Sequence, residues 1–193
     1  MVKAIIFDFF DVIYSDCLRV WLDKHGYKKE GKIAEASYLI DSGVISEKEF
    51  MERLAEVSGM TAKDVESELD SFAICDFEVV EFIKKLRADY PIGLISNAGA
   101  EYLRFLLKDN DLESLFDEIL ISAEVGMVKP EEKIFRLMLD KLKVHSSETI
   151  FIDDHKRNVD AAVSLGIHGI WYQGLEKLQN ELTSLGIIKN LKI

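Results

Sequence analysis

The chain has 193 residues, enough for a sizeable core in one domain or in a domain with an insert. Its 24 Lys and Arg against 35 Asp and Glu give a formal charge of −11, which argues against a nucleic-acid-binding protein, since those set a basic face against phosphates. Two cysteines, Cys17 and Cys75, make neither a disulfide framework nor a CxxC zinc pattern, and no apolar run reaches the ~20 residues a bilayer demands, so the expectation is a cytoplasmic protein with no membrane partner.

The first element is the apolar run Ala4 to Phe10, which has strand composition but contains Asp8 and is closed by Asp11. An aspartate where a strand meets a loop is ordinarily a turn or cap residue, and it acquires chemistry only if other groups converge on it. About 80 residues then pass before the next such run, far more than one crossover needs. Within them Leu18, Trp21 and Leu22 share one helical face, Phe50, Leu54 and Val57 another, and Val65, Leu69 and Phe72 a third. Ser46 before Glu49 and Thr61 before Asp64 sign two of the helix starts. The spacing predicts about four short helices in an insert over residues 15–76.

Further strands are expected at Ile92 to Ser96, Glu118 to Ser122, Thr149 to Asp153 and Ile167 to Tyr172, with helical periodicity between them. Continuous apolar strands alternating with helices predict an α/β fold. It is a doubly wound, Rossmann-like parallel sheet formed by residues 1–14 and 77–193, with a small all-helical cap domain at 15–76. In such sheets ligands collect at the carboxyl ends of the strands, where Asp8, Ser96 and the pair Asp153 and Asp154 all project.

That convergence suits phosphoryl transfer. A phosphate monoester repels an anionic nucleophile, so a carboxylate attacking it needs a divalent cation and a lysine to neutralise charge. Asp8 and Lys129, in Gly126-Met127-Val128-Lys129-Pro130, meet part of that need. Adjacent carboxylates such as Asp153 and Asp154 repel unless solvent or a cation intervenes, and Mg²⁺ takes carboxylate and carbonyl oxygens. The expected ligands are Asp8, the Phe10 carbonyl and Asp154, with Asp153 beside it. Ser96 and Asn97, before the helical pattern Ala98 to Lys108, can bind phosphate through a hydroxyl and helix-terminal N–H groups or serve as a plain helix cap.

These ordered motifs resemble the haloacid dehalogenase-like hydrolase superfamily, phosphatase branch, over essentially the whole chain. The resemblance implies that Asp8 is the nucleophile, Ser96 the second-motif hydroxyl, Lys129 the third-motif lysine and Asp153 with Asp154 the acidic fourth motif. It further implies Mg²⁺ as cofactor, a small phosphorylated metabolite, such as a sugar phosphate, as partner, and Phe9 and Phe10 beside the substrate.

The chain departs from that pattern at one place. Phosphatases of the superfamily carry a second aspartate two residues after the nucleophile for proton transfer, and here that residue is Phe10. Asp11, or a metal-bound water, is the expected substitute, and His155 is a further candidate because histidine titrates near pH 6.5. Two other readings stay open: a non-catalytic phosphate- or metal-binding module, and a metal-independent 2-haloacid dehalogenase, whose branch carries an aromatic residue at this position. In the insert, Arg19, Trp21 and His25 can either reach over the site or pack and solvate the helix.

Overall fold

A computed structural model describes residues 1–188. Five parallel strands, β1 (Ala4–Phe7), β2 (Ile92–Ser96), β3 (Glu118–Ile121), β4 (Thr149–Asp153) and β5 (His168–Trp171), lie in the order β3-β2-β1-β4-β5. The central strands are buried on both faces, which is why they read as unbroken apolar runs. Ile5 and Phe7 point to a layer built from α5 (Phe77–Arg87), α6 (Ala100–Asp109) and α10 (Leu175–Ser184). Ile6, Ile95 and Phe151 point the other way, against α8 (Glu132–Leu142) and α9 (Lys156–Ser164). A side chain at Gly93 would put its Cβ 2.9 Å from Met138 Sδ, so α8 lies almost on the backbone of β2.

The register determines what emerges at the carboxyl edge. Phe7 pairs with Leu94 on one side and Ile152 on the other, and the Asp8 N–H still reaches the Ile152 carbonyl at 2.9 Å. The last residues of β2 and β4, Ser96 and Asp153, therefore flank Asp8. The first strand ends at Phe7, short of the expected Phe10, because the Phe9 carbonyl turns away to accept the N–H groups of Ile13 and Tyr14.

Between β1 and α5 the chain forms α1 (Cys17–His25), α2 (Gly31–Asp41), α3 (Glu47–Ser58) and α4 (Ala62–Ser71). Ser46 caps α3 by accepting the Glu49 N–H at 3.2 Å, and Thr61 does the same for Asp64 at 3.2 Å. The four helices share an apolar cluster centred on Trp21, Leu54 and Val65, separate from the two clusters of the sheet. A short helix, α7 (Ser122–Val125), follows β3 and packs against α2. There Gly43, at φ 73°, sits on the backbone of Ala123, and a Cβ on it would come within 2.4 Å of the Ala123 carbonyl oxygen.

Leu54 fills the centre of the helical cluster with no exposure. We expect Leu54→Ala to lower the unfolding free energy by about 2–5 kcal/mol in urea titrations; a loss below about 1 kcal/mol would mean that the four helices do not share a packed core.

Candidate active site

Asp8, Lys129 and Asp153 form a buried charge triad at the carboxyl edge of the sheet. Lys129 Nζ lies 2.7 Å from Asp8 Oδ1 and 2.8 Å from Asp153 Oδ2, and the lysine is only 4% exposed. Asp8 Oδ1 also accepts the Phe9 N–H at 2.6 Å, whereas no hydrogen bond among the described residues engages Asp8 Oδ2. Burial, reinforced by the charge of Asp153, pushes the Asp8 carboxyl well above its ordinary value, and Lys129 only partly offsets this. Burial acts on Asp153 in the same direction but loses there, since Lys129 and the donors around the carboxylate hold it below its ordinary value.

The lysine is itself positioned. It stands in the turn before α8, where its N–H donates to Asn97 Oδ1 at 2.8 Å and its carbonyl accepts from Asn97 Nδ2 at 2.9 Å. The side chain of Asn97 is thus occupied in clamping the lysine loop. Ser122, at the start of α7, pins the neighbouring segment by accepting the Ala98 N–H at 3.0 Å. The Ser96 hydroxyl is buried and has no hydrogen-bond partner among the described residues, an unmet need that a bound oxyanion would satisfy.

The acidic pair divides its work. Asp153 accepts from Lys129, from the His155 N–H at 2.7 Å and from Asn158 Nδ2 at 3.0 Å on each oxygen. These four bonds, one of them from the lysine, engage both of its oxygens. Asp154 borders the cleft and uses one oxygen on His155 Nδ1, at 2.8 Å. Asp153, Asp154 and His155 form a cluster close enough for metal ligation. The other Asp154 oxygen, Asp8 Oδ2 and the Phe10 carbonyl accept no hydrogen bond among the described residues. These unengaged oxygens, on three residues that line one cleft, are hard donors of the kind that Mg²⁺ takes.

The two phenylalanines part company. Phe9 is fully buried, stacked on Tyr14 with centroids 5.5 Å apart, so its side chain is core and only its N–H belongs to the site; the expectation that it contacts substrate is corrected. Phe10 does border the cleft, parallel to Tyr102 at 6.5 Å. Asp11 borders it too, at φ 54°, but Arg19 grips both its oxygens, at 2.5 and 2.9 Å, and the Asp16 N–H adds a third bond at 3.0 Å. Burial opposes these contacts and is outweighed, so the carboxyl sits below its ordinary value and is a poor proton donor near neutrality. That corrects its expected catalytic role. Arg19 is accounted for by this pair, Trp21 is fully buried, and His25 bonds Glu68 at 2.6 Å.

The cleft, about 1220 Å³, lies between the carboxyl edge of the sheet and the helical insert. Its insert side carries residues that sequence patterns did not single out, notably Asp41 and Glu47. The Glu47 carboxylate reaches the start of α6, accepting the Tyr102 N–H at 3.3 Å across the side-chain-free Gly99. The role of Asn158 was not legible either, although it is the residue four positions after Asp154.

The model for haloacid dehalogenase-like hydrolases matches residues 5–172, a span that includes every element of this site. The chain belongs to that family. Among characterised proteins similar to this chain, a D-ribitol-5-phosphate phosphatase from Bacteroides thetaiotaomicron is 27% identical over 95% of this chain and 98% of its own length. A drimenol cyclase from Aspergillus calidoustus is also 27% identical over 96% of this chain, which spans 37% of that protein. A haloacid dehalogenase family enzyme from Bacteroides thetaiotaomicron, solved as a magnesium complex, superposes with a TM-score of 0.76 over 94% of this chain and 98% of its own, at 23% identity; it shares the fold. No helix of the described residues is long and apolar enough to cross a membrane.

A site that crowds two carboxylates around one lysine has a signature in stability. With its pKa above the ordinary 3.8 in the folded state, Asp8 makes the folded protein bind more protons than the unfolded chain, so stability falls as pH rises from that value towards the raised one. In chelator-treated protein at pH 7, Asp8→Asn removes that penalty and raises Tm by about 2–4 °C for each kcal/mol relieved. A lower Tm would show that the ionised Asp8 is a net stabiliser.

Proposed function

We propose that this hydrolase is a Mg²⁺-assisted phosphatase of a small phosphorylated metabolite, of the sugar or polyol phosphate class, working through an aspartyl phosphate on Asp8. The observation that carries the reading is the asymmetry of Asp8: one oxygen is fixed by Lys129 and the Phe9 N–H, and the other is unengaged. A carboxylate immobilised through one oxygen presents the other in a defined direction, as in-line attack at phosphorus requires.

Lys129 neutralises charge that develops on the transferring phosphoryl group, and Asp153 with Asn158 keeps the ammonium in place. The Ser96 hydroxyl, buried without a partner, donates to a phosphoryl oxygen. Asp8, the Phe10 carbonyl and Asp154 would hold Mg²⁺, which supplies the remaining positive charge when bound. Residues 15–76 serve as a cap, shielding the acyl phosphate from bulk water. The full-length similarity to a D-ribitol-5-phosphate phosphatase supports the substrate class. A displacement at carbon without metal would leave Asp154 and the open Phe10 carbonyl with no part in the chemistry.

Phosphate release should be measured over a panel of sugar, polyol and acyl phosphates and 4-nitrophenyl phosphate. We expect hydrolysis that requires added Mg²⁺, disappears on chelation and is absent in Asp8→Asn. Undiminished hydrolysis in purified Asp8→Asn would falsify the nucleophile assignment; release of halide from 2-haloacids, with no phosphate release, would replace the phosphatase reading altogether.

A further inference from the structure

Phosphoryl transfer to Asp8 needs a proton for the leaving oxygen, yet Phe10 has none to give and Asp11 is held ionised by Arg19. The insert faces the same cleft with carboxylates of its own. Asp16 caps α1 through the Arg19 N–H at 3.0 Å, and Glu47 is engaged with the Tyr102 N–H. Asp41 differs from both: like Glu66 and Asp70 it borders the cleft with a carboxyl that no hydrogen bond or ion pair among the described residues touches, and the charge of Lys129 reaches it.

Its placement is built by the turn that follows. Asp41 is the last residue of α2, and two residues later Gly43 seats that turn directly on the Ala123 backbone, which docks the end of α2 against the core. We propose that Asp41 is the general acid and base of this enzyme, supplied by the insert in place of the group that Phe10 displaces. The proposal rests on the phosphatase reading and adds the proton carrier to it.

The electrostatics agree. Burial dominates, and the charged groups facing Asp41 divide evenly: Lys29 before α2 and Lys129 from the core favour the ion, whereas Asp16 from the cap of α1 and Glu47 from α3 oppose it. Glu124 on α7, the core helix against α2, is already paired with Arg104 at 2.8 Å. The end of a helix also disfavours an anion. The carboxyl is pushed up to about 6, near enough to neutrality both to give and to take a proton. In the first half-reaction the Asp8 oxygen bonds to phosphorus, the bond to the leaving oxygen breaks, and the Asp41 proton passes to that oxygen, releasing an alcohol. In the second, the Asp41 carboxylate takes a proton from the water that attacks phosphorus, which frees Asp8 and inorganic phosphate and restores the acid.

The test compares phenyl phosphate, whose leaving oxygen needs a proton, with 4-nitrophenyl phosphate, whose leaving group departs readily without one. Asp41→Asn should lose at least about 10²-fold in kcat/KM on phenyl phosphate but under about 10-fold on the nitrophenyl ester. Adding Phe10→Asp to that variant should restore phenyl phosphate turnover. Gly43→Ala, which must move the turn off Ala123, should show the same selective loss, so the test does not depend on one variant folding. An equal loss on both esters, no loss on either, or a wild-type enzyme that cleaves only the nitrophenyl ester overturns the role of Asp41. A wild-type enzyme that releases phosphate from neither ester or from any member of the panel overturns the phosphatase reading itself.

Discussion

Lys129 buried between Asp8 and Asp153 is the interaction around which the rest of the structure is arranged. Two carboxylates and an ammonium withdrawn from water cost several kcal/mol per ion unless their geometry is close and their remaining lone pairs are filled. The chain meets that condition with parts drawn from distant segments: Asn97 clamps the lysine backbone, Asn158 fills Asp153, and the Phe9 N–H fills one oxygen of Asp8. The parallel sheet is what makes the meeting feasible, since β1, β2 and β4 all end at the same edge. The site is therefore built directly on the core, while Asp8 and Asp154 each keep one oxygen unengaged at the cleft.

Phe10 changes the character of that edge. Its ring lies parallel to Tyr102 and makes one wall of the cleft apolar where an acid is expected. Asp11 cannot compensate, because Arg19 on α1 ties it to the base of the insert. That ion pair, the contact of Glu47 with the start of α6 and the seat of Gly43 on Ala123 join the insert to the core at three places around the cleft. In the proposed reading, the proton chemistry absent from the loop after β1 is supplied by the insert.

The fold was legible where burial left a strong pattern. Strands covered on both faces appear as apolar runs, and β2 and β4 end at the residues their composition suggests. Helices α3 and α4 announce themselves through Ser46 and Thr61, but α2 begins after Glu30 with no side-chain cap, so neither its start nor the place of Asp41 at its end carried a signal. Asp8, Lys129 and Asp154, which stand in the sequence motifs, do line one cleft. Phe9 was misassigned because β1 stops at Phe7, and past a strand's end alternation no longer tells which side chain faces inward. Asp11, Asn97 and Asp153 are polar residues whose partners, from the nearby Arg19 to the distant Lys129, no motif names, and only the folded geometry shows that their side chains are already engaged.

The central claim is that Asp8, held through one oxygen by Lys129, accepts a phosphoryl group on the other. Its most direct test is to mix the enzyme and Mg²⁺ with a turned-over phosphate ester, quench in acid within a single turnover, and map phosphorylated peptides by mass spectrometry. The account predicts one phosphoryl group on the peptide containing Asp8 and none in Asp8→Asn. Turnover with that peptide unmodified at every quench time, or with the phosphoryl group on another residue, would contradict it.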